Sequence, residues 1–246
     1  WCVWDLMERR MRATWDIFCS VVDNYGDIGV TWRLARQLVA EHGLAVRLWV
    51  DDLGAFVRLC QQADVQALRQ VQQGVEIRLW RADWQAVEPA DVVIEAFACE
   101  LPATYIEAMA RRERKVLWLN LEYLSAEDWV PRMHGRPSPI MSGPARGWTK
   151  HFVFPGFTPE TGGLLREVDL LQRQAHFDRT DARQQLAPEL SAEGWLISLF
   201  CYEPAALPEL LTSLVGTPHQ LLVTPGRPWA AVQPAHAQGC AEPVWR

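Results

Sequence analysis

Short apolar segments with strand character alternate with segments of helical periodicity along most of the first 170 residues. The strand-like segments are residues 15–22, 45–50, 75–80, 91–97 and 115–121. Apolar residues at helical spacing lie between most of them, at residues 34–42, 53–60, 65–72 and 102–112. Parallel strands need crossover connections, and those connections are almost always right-handed. The alternation therefore predicts an α/β fold with a parallel, doubly wound sheet of the Rossmann type.

The same alternation begins again near the end of the chain. A strand at 195–200, a helix at about 205–214 and a strand at 219–223 follow a polar connecting segment, and residues 225–246 show no apolar periodicity. One strand-helix-strand unit is too small to bury a core of its own. We therefore expect a first domain at 15–170, a connecting segment at 171–194 and an incomplete second Rossmann-type domain at 195–246. Residues 1–10 are expected to be extra, because Met11 stands just before the first strand.

The composition argues against several functional classes. The formal net charge is −6 and no basic block occurs, so binding to nucleic acid or to an anionic membrane surface is not expected. The sequence shows neither a secretory signal nor an apolar run of membrane-spanning length, which predicts a cytoplasmic location. The cysteines form no Cys-x-x-Cys pair and the histidines have no metal-ligand spacing. We therefore expect no metal and no cofactor.

The turn after the first predicted strand is acidic where dinucleotide-binding proteins have a glycine-rich turn. Residues 23–29 read Asp-Asn-Tyr-Gly-Asp-Ile-Gly, which contains G-x-x-G but lacks the G-x-G-x-x-G fingerprint. Two carboxylates beside a helix N-terminus would repel a phosphate group. This disfavours a nicotinamide-dependent dehydrogenase. An acidic pocket suits a guanidinium or ammonium group, or an acceptor that gives a proton to a carboxylate base.

Carboxylates follow or end most of the predicted strands, at Asp23, Asp27, Asp51, Asp52, Glu95, Glu100 and Glu122. Open α/β sheets bind ligands at the carboxyl ends of their strands, so these side chains mark the expected site. Each carboxylate also has a structural interpretation. Asp27 could cap the following helix and Asp23 could form an Asx-turn, and spacing alone leaves both interpretations of these two residues open. Asp51 and Asp52 are better explained as helix caps.

Several segments stand in the same order, and at comparable spacing, as in one known family. They are DNYGDIGV at 23–30, WRLAR at 32–36, LWVDD at 48–52, VVIEAFAC at 92–99, NLEYLSAE at 120–127, FPGF at 154–157, TGGLLRE at 161–167 and LFCYE at 199–203. Through them the chain resembles the EarP family, the protein-arginine rhamnosyltransferases that modify bacterial translation elongation factor P. The resemblance extends from residue 15 to about residue 225.

The resemblance implies an inverting, metal-independent glycosyltransferase of the GT-B type with two Rossmann-like domains. Such an enzyme moves L-rhamnose from dTDP-β-L-rhamnose to an arginine side chain of elongation factor P. The N-terminal domain would bind the acceptor protein, and the C-terminal domain would bind the nucleotide sugar. The family's Arg-Gly-Glu-Asp-Ser segment, which holds the nucleotide sugar, does not occur in this sequence. We therefore expect acceptor recognition to be retained, and donor binding and transfer to be impaired.

The resemblance also implies roles for individual residues. Asp27 matches the proposed general base, and Asp23 matches the second essential aspartate of the same turn. The residues assigned to acceptor binding are Asn24, Tyr25, Glu122 and Tyr123, and those assigned to donor binding are Gly26, Phe200 and Tyr202. Two alternatives remain open: a non-catalytic module that binds elongation factor P, and a GT-B glycosyltransferase with another acceptor.

Overall fold

The computed structural model describes residues 13–22, 25–80, 87–186, 195–201, 205–224, 227–237 and 243–244. The chain divides into two units, Trp1–Val168 and Asp169–Arg246. In the first unit the strands are β1 (Thr14–Cys19), β2 (Ala45–Val50), β3 (Arg69–Gln72), β4 (Val75–Leu79), β5 (Val92–Ala96), β6 (Leu117–Leu121), β7 (Pro137–Pro139) and β8 (Thr149–Val153). The helices of this unit are α1 (Gly26–His42), α2 (Leu53–Leu59), α3 (Ala103–Ala110) and α4 (Val130–Met133).

These strands form one eight-stranded sheet in the order β3-β4-β2-β1-β5-β6-β8-β7. The inner strands pair in parallel, and the edge strands β3 and β7 pair antiparallel with their neighbours. The chain moves outward from β1 through β2 to β4, and then returns to the other side of β1 as β5. The strand order therefore reverses between β1 and β5, which is where α/β sheets form a ligand crevice. The predicted α/β class with a mostly parallel sheet is confirmed.

Helix α1 follows β1 and packs on one face of the sheet. Its buried side chains Ile28, Trp32 and Ala35 recur at helical spacing and join a core that includes Ile17 and Phe56. The helix ends at Gly43, whose φ of 63° lies in the left-handed region that favours glycine. The prediction from the sequence that Gly43 stops this helix is confirmed.

The opposite face of the sheet carries a core rich in aromatic rings. Phe18 stacks on Trp49 with ring centroids 5.5 Å apart and meets Tyr105 of α3 edge-on at 4.8 Å. Because neighbouring strand residues point to opposite faces, Ile17 and Phe18 serve different cores. Helices on both faces leave the carboxyl edge of the sheet as the place for a site.

A buried polar network holds the amino-terminal half of β1 within this aromatic core. Asp16 is fully buried, and its carboxylate accepts hydrogen bonds from Arg47 Nε and Nη2, each 2.6 Å long, and from Trp49 Nε1 at 3.0 Å. The Ala90 amide donates to the same carboxylate at 3.1 Å, and the Tyr105 hydroxyl donates to it as well. Burial and the negative charge of Asp16 raise the pKa of Tyr105 far above its usual range, so the phenol keeps its proton.

The helix predicted over residues 65–72 is wrong, because this segment leads into the edge strand β3. Residues Arg69 to Gln72 alternate between exposed and partly buried, which is the period of a strand and not of a helix. Gln73 and Gly74 have φ values of 49° and 81°. Two residues with positive φ form the tight turn that joins β3 to β4 as a hairpin.

The second unit contains α5 (Leu170–Ala175), α6 (Arg179–Leu186), β9 (Trp195–Leu199), α7 (Leu207–Leu214), β10 (His219–Val223), α8 (Arg227–Ala237) and β11 (Pro243–Val244). Its strands pair in parallel in the order β11-β10-β9, and the predicted strands and α7 are confirmed. Residues 225–246 show no apolar periodicity in the sequence, but they include helix α8, which buries Val232. Within the ranges described, the structure contains no helix long and apolar enough to span a bilayer.

Asp91, just before β5, ties the start of β1 to this part of the sheet. Its carboxylate accepts hydrogen bonds from the Thr14 amide at 3.0 Å and the Thr14 hydroxyl at 2.9 Å, and it pairs with Arg112 at 3.1 Å. The Thr14 amide first, and then the Thr14 hydroxyl and Arg112, lower the pKa of Asp91. The ionised carboxylate therefore stabilises the folded chain.

We expect Asp91→Asn to lower the free energy of unfolding at neutral pH. A depressed folded-state pKa gives stability that is fully present above the unfolded value and is lost as the pH falls through the folded value. The difference between the two proteins should therefore shrink below about pH 4, the ordinary aspartate value. Urea unfolding of both proteins at pH values above and below this value measures the difference in the free energy of unfolding. Thr14→Ser, which keeps both donors, should retain the profile, and a pH-independent effect of Asp91→Asn would contradict the assignment.

Candidate active site

Asp27 lies in the first turn of α1, at the carboxyl edge of the sheet beside the point where the strand order reverses. The residue is fully buried, and its Oδ2 accepts a hydrogen bond from the Val22 amide at 3.0 Å. Its Oδ1 accepts one from the Tyr123 hydroxyl at 2.9 Å. Tyr25 precedes the helix, and among the described residues no side chain caps this end. The interpretation of Asp27 as a helix cap is therefore wrong, because its carboxylate faces the end of β1 and the segment after β6.

Tyr123 follows β6 and extends its phenol toward Asp27. Its ring stacks on that of Phe97, which follows β5, with the centroids 4.3 Å apart and the planes within 15°. Tyr123 is half-exposed and Phe97 is partly buried. The segments after three neighbouring strands, β1, β5 and β6, thus come together around one carboxylate.

The turn after β5 has an unusual backbone. Phe97 and Ala98 have φ values of 57° and 55°, in the left-handed region that residues other than glycine rarely occupy. Each such residue costs on the order of 1–3 kcal/mol, so this conformation persists only where the surrounding structure enforces it. The Phe97 amide donates to the Leu121 carbonyl at 2.7 Å, which fixes the turn against the end of β6.

A cavity of about 660 Å³, here called the α1 cavity, opens beside these residues. Its walls come from α1, from the carboxyl halves of β5, β6 and β8, and from residues 162–165. Most of its lining is apolar, and Gly26, Phe97, Glu122 and Tyr123 contribute to it. The cavity therefore combines hydrophobic walls with acidic and aromatic groups on the Asp27 side.

Residues 162–165 line the cavity, and residues 165–168 are hydrogen-bonded to side chains of α1. Arg33 donates to Glu167 through Nε at 2.9 Å and through Nη2 at 2.8 Å, and Nη2 also reaches the Leu165 carbonyl at 3.2 Å. Gln37 donates to the Arg166 carbonyl at 2.8 Å. The hydrogen bonds that Arg33 donates to Glu167 raise the pKa of Arg33, so this bidentate pair stays charged. These contacts hold one wall of the cavity in place.

Comparison with known proteins gives a consistent result across most of the chain. A family model described as "Elongation-Factor P (EF-P) rhamnosyltransferase EarP" matches residues 15–243. The chain belongs to the EarP family. A protein-arginine rhamnosyltransferase of Pseudomonas putida is 60% identical over 224 residues, which are 88% of this chain and 58% of that protein. A protein of the same name from Pseudomonas aeruginosa is 54% identical over 227 residues, 89% of this chain and 59% of its own length.

A protein-arginine rhamnosyltransferase of Shewanella oneidensis is 45% identical over 208 residues, 80% of this chain and 52% of that protein. The chain thus spans between half and three-fifths of the length of these relatives. The range that the family model matches includes the acidic turn, the segment after β5 and the segment after β6.

The structure brings some of the predicted site residues together and separates others. Gly26, Glu122 and Tyr123 line the α1 cavity, and Asp27 is hydrogen-bonded to Tyr123 beside them. The Tyr25 hydroxyl accepts a hydrogen bond from Arg58 of α2 at 3.0 Å, which turns its phenol toward that helix. The predicted residues Asp23, Asn24 and Tyr202 lie outside the described residues. Phe200 belongs to the second unit, where it follows β9 and is 68% exposed.

Three other carboxylates of the acidic edge have structural partners in this EarP-family chain. Asp52 accepts hydrogen bonds from the Gly54 and Ala55 amides and caps α2, as predicted. Asp51 has no such capping bond, and instead accepts hydrogen bonds from the Val21 amide at 2.8 Å and from the Ser20 hydroxyl. Glu95 is buried beside Lys150, whose Nζ lies 2.6 Å away, and burial raises the pKa of this carboxyl.

Nucleophilic thiols and metal chemistry find no support in the described part of the chain. Burial raises the pKa of the Cys19 and Cys99 thiols to about 12, so neither is a nucleophile at neutral pH. Within the described ranges no three His, Cys, Asp or Glu side chains are grouped so that they could hold a metal ion. Among the described side chains, the Glu122 carboxylate lines the α1 cavity, and the Asp27 carboxylate is linked to it through the Tyr123 hydroxyl.

Sequence reasoning missed two features of this site. Nothing in the residue types Phe97 and Ala98 indicates a left-handed turn, since both residue types normally avoid that region. The pairing of Arg33 with Glu167 joins residues far apart in the chain. The position of Phe97 at the end of the strand beside β1 was the available signal, because side chains at that edge face the crevice.

Proposed function

We propose that this chain forms the acceptor side of a protein-arginine rhamnosyltransferase of the GT-B type. The enzyme would act in the cytoplasm and move L-rhamnose, with inversion, from dTDP-β-L-rhamnose to an arginine of elongation factor P. The observation that carries the proposal is the Asp27 carboxylate, fixed by Val22 and Tyr123 where the strand order reverses. Membership of the EarP family supports the choice of acceptor and reaction.

The chemistry of arginine explains why a carboxylate is needed. A guanidinium holds its proton at any physiological pH and is a poor nucleophile while cationic. In the proposed reaction one guanidinium nitrogen attacks the anomeric carbon and the carbon-oxygen bond to dTDP breaks on the opposite face. The bonding electrons leave with the diphosphate, and the nitrogen gives its proton to Asp27. Asp23, in the same acidic turn, would help to orient the guanidinium.

The α1 cavity suits the shape and charge of an arginine side chain. Its apolar walls can contact the aliphatic stem, while Glu122 and Tyr123 lie on the side where the charged group would be. The Asp27 residue has no exposed surface, so the acceptor nitrogen reaches it when neighbouring side chains move aside. Catalytic contacts commonly tighten in this way when the substrate binds.

Donor binding is proposed for Phe200, which follows β9 in the second unit, and the donor-binding role of Gly26 stays a prediction from the sequence. Phe200 exposes most of its ring after β9, as a side chain that stacks on a nucleobase would. Negative charge develops on the leaving diphosphate and needs hydrogen-bond donors nearby. No metal is assigned to this role.

Incubation of the full-length gene product with unmodified elongation factor P and dTDP-rhamnose tests the proposal. Mass spectrometry should find one deoxyhexose on one arginine, and an acceptor carrying lysine at that position should remain unmodified. Binding of elongation factor P without transfer would instead support a non-catalytic binding module. Transfer to a different protein would keep the fold and change the acceptor. Absence of both binding and transfer would contradict the proposal.

A further inference from the structure

We propose that Phe97 is a positioning residue for the Asp27 carboxylate and acts through Tyr123. The inference rests on the proposed role of Asp27 as the base. The Phe97 ring has no group that could hydrogen-bond to Asp27. It stacks instead on the ring of Tyr123, whose hydroxyl donates to Asp27 Oδ1 at 2.9 Å. Removing the ring would therefore change where that hydroxyl lies.

The geometry favours a positioning role because the Phe97 ring covers one face of the half-exposed Tyr123 phenol. The residue is 53% exposed, and an exposed side chain normally samples several rotamers. A near-parallel ring at 4.3 Å restricts that freedom on one face. The stack therefore keeps the hydroxyl directed at the carboxylate and keeps the carboxylate in one orientation.

The backbone at the end of β5 provides a second, independent observation. Phe97 and Ala98 both occupy left-handed conformations, although neither is glycine. An ordinary strand end would carry the Phe97 side chain in a different direction, so this turn is what places the ring against Tyr123. Strained backbone of this kind is commonly found where a site needs one particular side-chain position.

Kinetics of the full-length gene product with four variants test the inference. Phe97→Leu keeps an apolar side chain without the flat ring, and should lower kcat about ten- to a hundredfold while KM for the acceptor stays within about twofold. Phe97→Tyr retains the ring and should restore kcat. Tyr123→Phe removes the hydroxyl alone, and adding Phe97→Leu to it should cause no further loss. Phe152→Leu is the matched control. It removes a ring of β8 that stacks on Phe154, and it should leave kcat unchanged.

Two results would overturn the inference. Additive losses of kcat in the double variant would show that Phe97 acts independently of Tyr123, and a change confined to KM would show that Phe97 binds the acceptor directly. A crystal structure of the Phe97→Leu protein gives a readout that does not depend on activity. The Tyr123 hydroxyl should lie beyond hydrogen-bond distance of Asp27, and an unchanged hydrogen bond there would also overturn it. If the unaltered protein transfers no rhamnose, the proposed function fails, while the crystal structure still decides the role of Phe97.

Discussion

Replacing Asp16 by alanine is expected to lower the free energy of unfolding by about 3–5 kcal/mol, the usual cost of removing one partner from a buried ion pair. The Asp16 carboxylate receives both Nε and Nη2 of Arg47, and also the indole of Trp49 and the hydroxyl of Tyr105. All of these donors would lose their hydrogen bonds to the Asp16 carboxylate at once. Urea unfolding followed by tryptophan fluorescence measures the effect.

The exposed pair of Glu107 and Arg111 on α3 supplies the matched control. Its nitrogen-oxygen distance is 3.2 Å, and both side chains are largely exposed. Glu107→Ala should cost less than about 1 kcal/mol, as expected for a surface ion pair. Replacing Asp16 by leucine together with Arg47 by methionine should recover part of the loss, because no buried charge then remains unpaired. Equal effects of Asp16→Ala and Glu107→Ala would contradict the structural role of the network.

Replacing Asp27 by asparagine is expected to reduce rhamnosyl transfer at least about a hundredfold, because general-base catalysis contributes on the order of 10²–10⁴. The fold should persist. The asparagine oxygen can accept from the Val22 amide, and its amide group can donate to the Tyr123 hydroxyl, which is able to accept. Steady-state rates with elongation factor P as acceptor measure the loss.

Asp52→Asn is the matched control for this prediction. It makes the same chemical change at the same edge of the sheet, where Asp52 caps α2. Asparagine is as good a cap as aspartate, so neither stability nor transfer should change appreciably. A comparable loss in both variants would indicate that the Asp27 effect reflects general negative charge at this edge and not a specific base.

The sequence predicted the elements that depend on local pattern. The buried positions of α1 recur at helical spacing and Gly43 ends the helix, so the carboxyl edge of β1 and the place of Asp27 could be inferred. The partners of Asp27 could not be inferred as securely. The contact with Tyr123 joins residues 96 positions apart and depends on which strands are neighbours, which the sequence leaves undetermined.

The failures have physical causes. The helical spacing predicted over residues 65–72 gave way to sheet pairing, because strand β4 offers backbone partners to the segment Arg69–Gln72. The sequence pattern did not indicate helix α8, because Pro234 inside it is unfavourable to a helix and the burial of Val232 that supports it is a tertiary contact. The left-handed turn at Phe97 runs against the preference of its residue type, as expected where neighbouring strands enforce a conformation.

The central claim, that Asp27 accepts the proton of the acceptor arginine, is tested most directly by single-turnover kinetics of the full-length gene product. The protein is saturated with elongation factor P and dTDP-rhamnose, and formation of rhamnosyl-arginine is followed by quenched-flow mass spectrometry. Asp27→Asn is expected to bind both substrates with affinities within about threefold of the unaltered protein and to form product at least about a hundredfold more slowly. Product formation by Asp27→Asn at a near-normal rate would contradict the claim.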